Sequence, residues 1–132
     1  MYKRQLTELS ARGYPIALVS VCSPDIPERW RGLPLAPLVD VTVFSSEVGL
    51  RKPDPAIYLA ASEGLGVSPQ ACLYCGDGAY GELTGAAAVG MTPYLIRDPS
   101  LDHDALLTPD RDDWAGATIG DLRELLAVLP SR

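Results

Sequence analysis

The residues best suited to chemistry stand where apolar runs give way to polar ones. Ser20 ends the run YPIALVS, Lys52 follows the run VDVTVFSS after a short loop, and Asp77 directly follows CLYCG. A hydroxyl and an ammonium can donate to phosphoryl oxygens, while a carboxylate can hold Mg²⁺. Together the three groups suit a phosphate with a divalent cation, provided that the fold brings them to one place.

The hydrophobic pattern predicts strands that alternate with helices. Strands are predicted at 14–20, 39–46, 72–76, 92–96 and 117–119. Helices are predicted to end at Gly13, Gly64 and Gly90, and a last helix is capped by Asp121 and Glu124. This alternation indicates the α/β class, with a three-layer, Rossmann-like parallel sheet covered by helices on both faces. In such sheets ligands bind beyond the carboxyl ends of the strands, which is where Ser20, Lys52 and Asp77 stand.

Composition limits the classes of partner. The chain has 132 residues, of which 47% are hydrophobic, so we expect one domain over residues 1–132 with a buried core. The formal net charge is −6 and basic residues occur at most in adjacent pairs, which disfavours nucleic acid and anionic membranes as partners. Without an apolar stretch near the roughly 20 residues of a spanning helix, or a signal-peptide pattern, we expect a cytoplasmic location.

Three cysteines are present, and two of them form a C-x-x-C pair. A redox pair of this kind normally opens a helix, whose N-terminus stabilises a thiolate. Cys72 and Cys75 instead lie in a predicted strand, where residues three apart face opposite sides. We interpret all three cysteines, Cys22 included, as free thiols.

The glycines after the third strand allow a second interpretation. Gly76, Gly78 and Gly81 satisfy G-x-G-x-x-G between a strand and a helix, and Asp98 stands 20 residues after Gly78, where a ribose-binding acid is expected. Two predicted strands precede this one, however, and the Asp77 carboxylate would repel a pyrophosphate. A dinucleotide-binding Rossmann domain is therefore the weaker alternative.

Residues 1 to 97 closely resemble the haloacid dehalogenase-like hydrolase superfamily. The segment VGLRKPDP at 48–55 matches the family's lysine-bearing motif, and Ser20 matches its serine or threonine at the end of a strand after R-G. The turn CGDGAYGELTGA at 75–86 matches its glycine-aspartate turn, with a second acid before Gly-Ala. The three motifs stand in the family's order, and on this resemblance the chain is the C-terminal part of a core domain.

The resemblance implies a role for each of these residues. Ser20 would orient a transferred phosphoryl group, and Lys52 would neutralise the nucleophile and the phosphoryl oxygens. Asp77, helped by Glu82, would bind Mg²⁺ directly or through water. The partner would be a phosphorylated small molecule, and the activity a phosphatase-type hydrolysis through an aspartyl-phosphate.

One family motif has no counterpart here. The family carries D-x-D-x-[TV] on a first strand, where the first aspartate is the nucleophile and the second the general acid/base. Asp110, Asp112 and Asp113 follow no apolar strand, and Asp40 begins its strand rather than ending it. We therefore expect a truncated form without nucleophile strand or cap, inactive as the isolated chain and with weak or absent Mg²⁺ binding. The alternative is a non-catalytic module of the same origin that binds a partner.

The absence of this strand also affects the order in which the remaining strands are expected to pair. In the family it lies between the strand that ends in Ser20 and the strand that Asp77 follows. We expect these two strands to close up and pair directly, which gives the order fifth, fourth, third, first, second. We also expect a homodimer, because apolar surface would otherwise stay uncovered.

Overall fold

The computed structural model describes residues 2–97 and 114–129. In chain order the main elements are α1 (Tyr2–Ala11), β1 (Ala17–Ser20), α2 (Ile26–Arg31), β2 (Val41–Phe44), α3 (Ser45–Val48), α4 (Pro55–Leu65), β3 (Leu73–Gly76), α5 (Glu82–Ala88), β4 (Thr92–Ile96) and β5 (Thr118–Ile119). Short 3₁₀ helices lie at Ala36–Leu38, Pro69–Ala71, Ala79–Gly81 and Leu122–Ala127. Asp98, Asp110, Asp112 and Asp113, which entered the sequence interpretation, lie outside the described residues.

The strands pair in parallel. β1 lies beside β2, with Ala17 opposite Val41, and β3 lies beside β4, with Leu73 opposite Thr92. β4 also pairs in parallel with β5. Each predicted strand contains an observed one, and the expected α/β class with helices on both faces is confirmed.

The expected pairing of β1 with β3 is wrong. Among the described residues, β1 and β2 form one sheet, and β3, β4 and β5 form another. In the structure α4 packs against β1 and β2, α5 packs against β3 and β4, and the two helices contact each other. At that contact the helices approach closely, because a Cβ on Gly85 of α5 would lie 2.5 Å from Tyr58 Oη of α4.

One core nevertheless joins both sheets. Its buried side chains come from β2, α4, β3, α5 and β4, and include Val43, Ile57, Tyr58, Tyr74, Leu83 and Leu95. Tyr58 and Tyr74 meet edge to face, with ring centroids 5.5 Å apart. Because Tyr58 belongs to α4 and Tyr74 to β3, this ring contact ties the helix under the first sheet to a strand of the second.

Local sequence sets the ends of α4. The Asp54 side chain accepts a hydrogen bond from the Ala56 N–H at 3.0 Å, and Pro55 occupies the first turn. The helix runs past its predicted end at Gly64 and stops before Gly66, which is left-handed at φ 73°. Gly64 lies inside the helix and close to β2, where a Cβ would lie 2.8 Å from Val41 Cγ1.

The last predicted helix forms as the 3₁₀ helix Leu122–Ala127. Its predicted capping box is present, since Asp121 caps Arg123 N–H while Glu124 accepts from the backbone of Asp121. The pKa of Asp121 is lowered by its hydrogen bonds from Arg123. This helix contacts α1, where the buried Gln5 side chain accepts from Leu122 N–H at 2.8 Å. Within 2–97 and 114–129, no helix has the length and apolar character needed to cross a membrane.

The cap of α4 generates a stability prediction. Asp54→Ala removes the acceptor for Ala56 N–H, so we expect the free energy of unfolding to fall by about 1 kcal/mol. Glu63→Ala, at an exposed position of the same helix, is the control and should change stability by less than about 0.5 kcal/mol. Urea unfolding followed by circular dichroism measures both, and equal midpoints for the two variants would contradict the capping role.

Candidate functional site

The structure places the sequence-predicted residues beyond the carboxyl ends of the strands. Ser20 is the last residue of β1, Asp77 directly follows β3, and Glu82 is the first residue of α5. Lys52 lies in the loop that connects α3 to α4. Lys52 and Glu82 are brought into direct contact, 2.9 Å from Nζ to Oε1. Ser20 ends a strand of one sheet, and Asp77 follows a strand of the other.

Glu82 is a buried carboxylate with four hydrogen-bond donors around it. Its side chain is 4% exposed. Oε1 accepts from Lys52 Nζ at 2.9 Å and from Tyr74 Oη at 2.6 Å, and Oε2 accepts from the backbone N–H of Gly78 at 2.8 Å and of Ala79 at 3.1 Å. A buried charge is tolerated when it is paired and fully hydrogen-bonded, and this arrangement meets both conditions.

Lys52 is held by the same cluster. Its side chain is 10% exposed, and its ammonium donates to Glu82 and, at 3.1 Å, to Tyr74 Oη. An ammonium has three N–H donors and no acceptor, so these two contacts leave one N–H for a further group. The ammonium also lies 5.9 Å from the centroid of the Tyr74 ring. Lys52 is therefore a fixed positive group rather than a solvated loop lysine.

Tyr74 is the functional-site residue that the sequence interpretation missed. It lies on β3, is 9% exposed, and its hydroxyl contacts both Lys52 and Glu82. Burial, followed by the charge of Glu82, raises the pKa of the Tyr74 phenol well above its usual value, which keeps it protonated. The signal available in the sequence was a tyrosine inside an otherwise apolar strand, because a buried hydroxyl needs a partner.

The glycines of the turn make room for Glu82. A Cβ on Gly76 would lie 2.4–2.6 Å from the carboxylate atoms of Glu82, and Gly78 and Gly81 are left-handed at φ 92° and 65°. The N–H groups of Gly78 and Ala79 already donate to Glu82, so the amides that a pyrophosphate would use are occupied. This geometry gives no support to the dinucleotide alternative.

Asp77 is better placed than Glu82 to bind a cation, because fewer hydrogen bonds engage its carboxylate. It is half-buried, and its Oδ1 accepts from Ala79 N–H at 3.0 Å. Across residues 2–97 and 114–129, no three His, Cys, Asp or Glu side chains lie together as a metal site would require. Mg²⁺ takes about six oxygen ligands, several of which are usually waters. The described residues fit such a site only in part, with Asp77 as the carboxylate whose oxygens are not fully used.

A polar contact fixes the loop that follows Ser20. Ser45 Oγ, at the start of α3, accepts from Cys22 N–H at 2.9 Å and lies 3.3 Å from the Cys22 carbonyl oxygen, to which it donates. An ion pair of 3.1 Å between Arg31 and Glu47 joins α2 to α3 nearby. The loop after β1 is thereby tied to the end of β2, which positions the backbone beside Ser20.

The two thiols of the C-x-x-C pair have raised pKa values. All three cysteines are free, and Cys72 Sγ lies 3.4 Å from the Ser68 carbonyl oxygen. Burial, together with the charge of Glu82, raises the pKa of Cys75 to about 12, and burial raises the pKa of Cys72. At neutral pH neither thiol of the C-x-x-C pair supplies the thiolate that redox or zinc chemistry needs.

Comparison with known proteins identifies the family to which the sequence is similar. The model of the haloacid dehalogenase-like hydrolases matches residues 3–90. Phosphoserine phosphatase of Thermus thermophilus is 31% identical over 91% of this chain, and a phosphatase of Mycobacterium tuberculosis is 45% identical over 53%. The crystal structure of a phosphatase of the same superfamily from Thermococcus onnurineus superposes with a TM-score of 0.77, at 26% identity over 98% of this chain. This chain spans 46%, 32% and 56% of those three proteins, respectively.

The space beneath the turn generates a prediction. In Gly76→Ala the new methyl group would overlap the Glu82 carboxylate, so we expect the free energy of unfolding to fall by about 1–3 kcal/mol. Gly32→Ala is the matched control, because its Cβ would meet nothing closer than the Arg29 carbonyl oxygen at 3.7 Å. Denaturant unfolding of both variants checks this. A Gly76→Ala protein as stable as the control would show that the Glu82 carboxylate does not require a glycine at position 76.

Proposed function

The chain belongs to the haloacid dehalogenase-like hydrolase family, and we propose that it carries the phosphate-handling part of a phosphatase-type active site. Ser20 and Lys52 contact a phosphoryl group in this proposal, and Asp77 supplies a carboxylate for Mg²⁺. The observation that carries it is the buried ion pair, which holds the Lys52 ammonium 2.9 Å from Glu82 at the carboxyl end of the strands.

Lys52 supplies positive charge at a fixed place. The Glu82 carboxylate that pairs with it shares its negative charge with three further donors. The ammonium keeps one N–H uncommitted among the described residues, and a phosphoryl oxygen is a strong acceptor for it. A preorganised cation of this kind stabilises the charge of a phosphoryl group without reorganising during the reaction.

Ser20 and Asp77 complete the proposed site from the two sheets. A serine hydroxyl at the end of β1 donates to phosphoryl oxygen, while the half-buried Asp77 offers an oxygen to Mg²⁺, which would neutralise phosphoryl charge when bound. Both oxygens of Glu82 are engaged, so direct metal ligation by Glu82 would cost its bonds to the turn. In this proposal Glu82 helps Asp77 by shaping that turn, and Mg²⁺ binding to the chain alone is weak.

The proposed substrate class is a phosphomonoester of a small molecule. The similar proteins include enzymes whose names specify phosphoserine, glyceraldehyde 3-phosphate and ribulose-1,5-bisphosphate as substrates. These substrates share the phosphate group and differ in the rest of the molecule. The proposal therefore extends to recognition of the phosphate and leaves the alcohol portion open. The homodimer stays a prediction.

Binding of inorganic phosphate tests the proposal directly. We expect calorimetry or NMR titration to detect binding to the chain, and Ser20→Ala to weaken it by several-fold through the loss of one donor. Lys52→Met with Glu82→Gln replaces the ion pair by neutral groups of similar size, which avoids the cost of a lone buried charge. This double variant should lose phosphate binding by at least about tenfold. Lys3→Met, at an exposed position of α1, is the control and should bind as the unaltered chain does.

Turnover by these 132 residues is a separate matter. The family's covalent step needs a nucleophilic aspartate, and the sequence has no D-x-D-x-[TV] motif to supply one. We expect no hydrolysis of p-nitrophenyl phosphate at a rate typical of such enzymes, with Mg²⁺ present. Asp77→Asn should match the unaltered chain. Robust Mg²⁺-dependent turnover that Asp77→Asn abolishes would overturn this expectation and require a nucleophile among the residues present.

A further inference from the structure

We propose that Tyr74 is a positioning residue, whose hydroxyl fixes the ammonium of Lys52 against Glu82. The consequence for a phosphoryl group rests on the proposed function above, whereas the positioning itself is a property of the three side chains. Tyr74 lies outside the three motifs that carry the family resemblance, and it would act through Lys52 rather than on a ligand.

The three groups form a closed triangle of hydrogen bonds. Tyr74 Oη lies 3.1 Å from Lys52 Nζ and 2.6 Å from Glu82 Oε1, and the third side, from Nζ to Oε1, is 2.9 Å. An ammonium cannot accept a hydrogen bond and an ionised carboxylate cannot donate one. The Tyr74 hydroxyl must therefore accept a hydrogen bond from Lys52 and donate one to Glu82, so the direction of each hydrogen bond in the triangle is fixed.

The contact with Tyr74 restricts the position of the Lys52 ammonium. A lysine side chain is a flexible four-carbon stem that ends in a point charge, and a single ion pair leaves the ammonium free to swing around one carboxylate oxygen. A second anchor fixes the direction in which the remaining N–H points. Glu82 alone does not provide such an anchor, because both bonds on Oε2 come from the backbone of Gly78 and Ala79.

The anchor itself is rigid. The Tyr74 ring is buried on β3 and packs edge to face against Tyr58, with an interplanar angle of 67°. The Tyr58 hydroxyl donates a hydrogen bond to the Glu82 backbone carbonyl oxygen at 2.9 Å. The raised pKa of Tyr74, caused mainly by its burial, is consistent with this geometry, because a protonated phenol can donate a hydrogen bond to Glu82.

The chain offers an internal standard for a test. It contains two lysines, Lys52 and Lys3, and Lys3 is exposed on α1. Competitive acetylation with a trace of acetic anhydride, read by mass spectrometry, gives the ratio of Lys52 to Lys3 labelling in one sample. We expect Tyr74→Phe to raise this ratio about threefold to tenfold, the factor that corresponds to the loss of one ordinary hydrogen bond.

Tyr58→Phe is the matched control. It deletes the same atom from a tyrosine in the same core and breaks a buried hydrogen bond to the same glutamate, but at the backbone rather than at Lys52. The labelling ratio should stay at the unaltered value in this variant even where stability falls. An unchanged ratio in Tyr74→Phe, or an equal rise in both variants, would overturn the positioning role.

A measurement on the unaltered chain covers the case in which Tyr74→Phe does not fold. In protein labelled with ¹⁵N-lysine, the shielded ammonium of Lys52 should give an N–H signal with nuclear Overhauser contacts to the Tyr74 ring. A Lys52 ammonium that exchanges as fast as that of Lys3, with no such contacts, would refute the proposal.

Inorganic phosphate separates this inference from the proposed function. Phosphate should protect Lys52, and not Lys3, from acetylation, and protection should require several-fold more phosphate in Tyr74→Phe. If phosphate protects neither lysine while the labelling ratio still rises in Tyr74→Phe, the proposed function fails and the positioning role stands. If phosphate protects Lys52 equally in both proteins and the ratio is unchanged, the positioning role fails and the proposed function stands.

Discussion

The buried carboxylate of Glu82 is the constraint to which the rest of the site is adjusted. An anion with 4% of its side chain exposed must be paired and hydrogen-bonded, and its donors come from three parts of the chain: Lys52 before α4, Tyr74 on β3, and the backbone of the turn. Gly76 must lack a side chain because the carboxylate occupies that space. A single charge thus determines the shape of the turn, the place of the lysine and the direction of a tyrosine hydroxyl.

The same residue links the site to the core. Through its backbone carbonyl Glu82 accepts from Tyr58 of α4, and Gly85, one turn further along α5, leaves space for the Tyr58 hydroxyl. The contact between α4 and α5 therefore includes Tyr58, a partner of Glu82. Because α4 packs on the first sheet and α5 on the second, this contact connects the site to both sheets.

Periodicity and local chemistry were enough to predict the five strands and the start of α4, but not α3, whose first residues, Ser45 and Ser46, were expected to belong to the second strand. Alternating apolar runs placed the five strands, and Asp54 with Pro55 placed the start of α4, because these signals act between residues close in the chain. The positions of Ser20, Lys52 and Asp77 beyond the strand ends followed from the same pattern.

Contacts between distant side chains were harder to foresee. The role of Tyr74 and the hydrogen bonds between Ser45 and Cys22 depend on which groups the fold brings within hydrogen-bond distance. The sequence does not indicate which group will be the partner of a buried hydroxyl. The expectation that β1 pairs directly with β3 is wrong, because the hydrogen-bonding capacity of a strand edge does not by itself specify which strand becomes its partner.

Chain connectivity has a consequence for the entropic cost of building the site. β1 pairs with β2, the next strand along the chain, and β3 pairs with β4, again the next strand. Tyr58 and Tyr74 stand closer together in the chain than the strand partners of either ladder, and Lys52 and Glu82 are separated by 30 residues. Because the cost of loop closure grows only slowly with loop length, the contacts of the candidate site close at an entropic cost similar to that of the ladders.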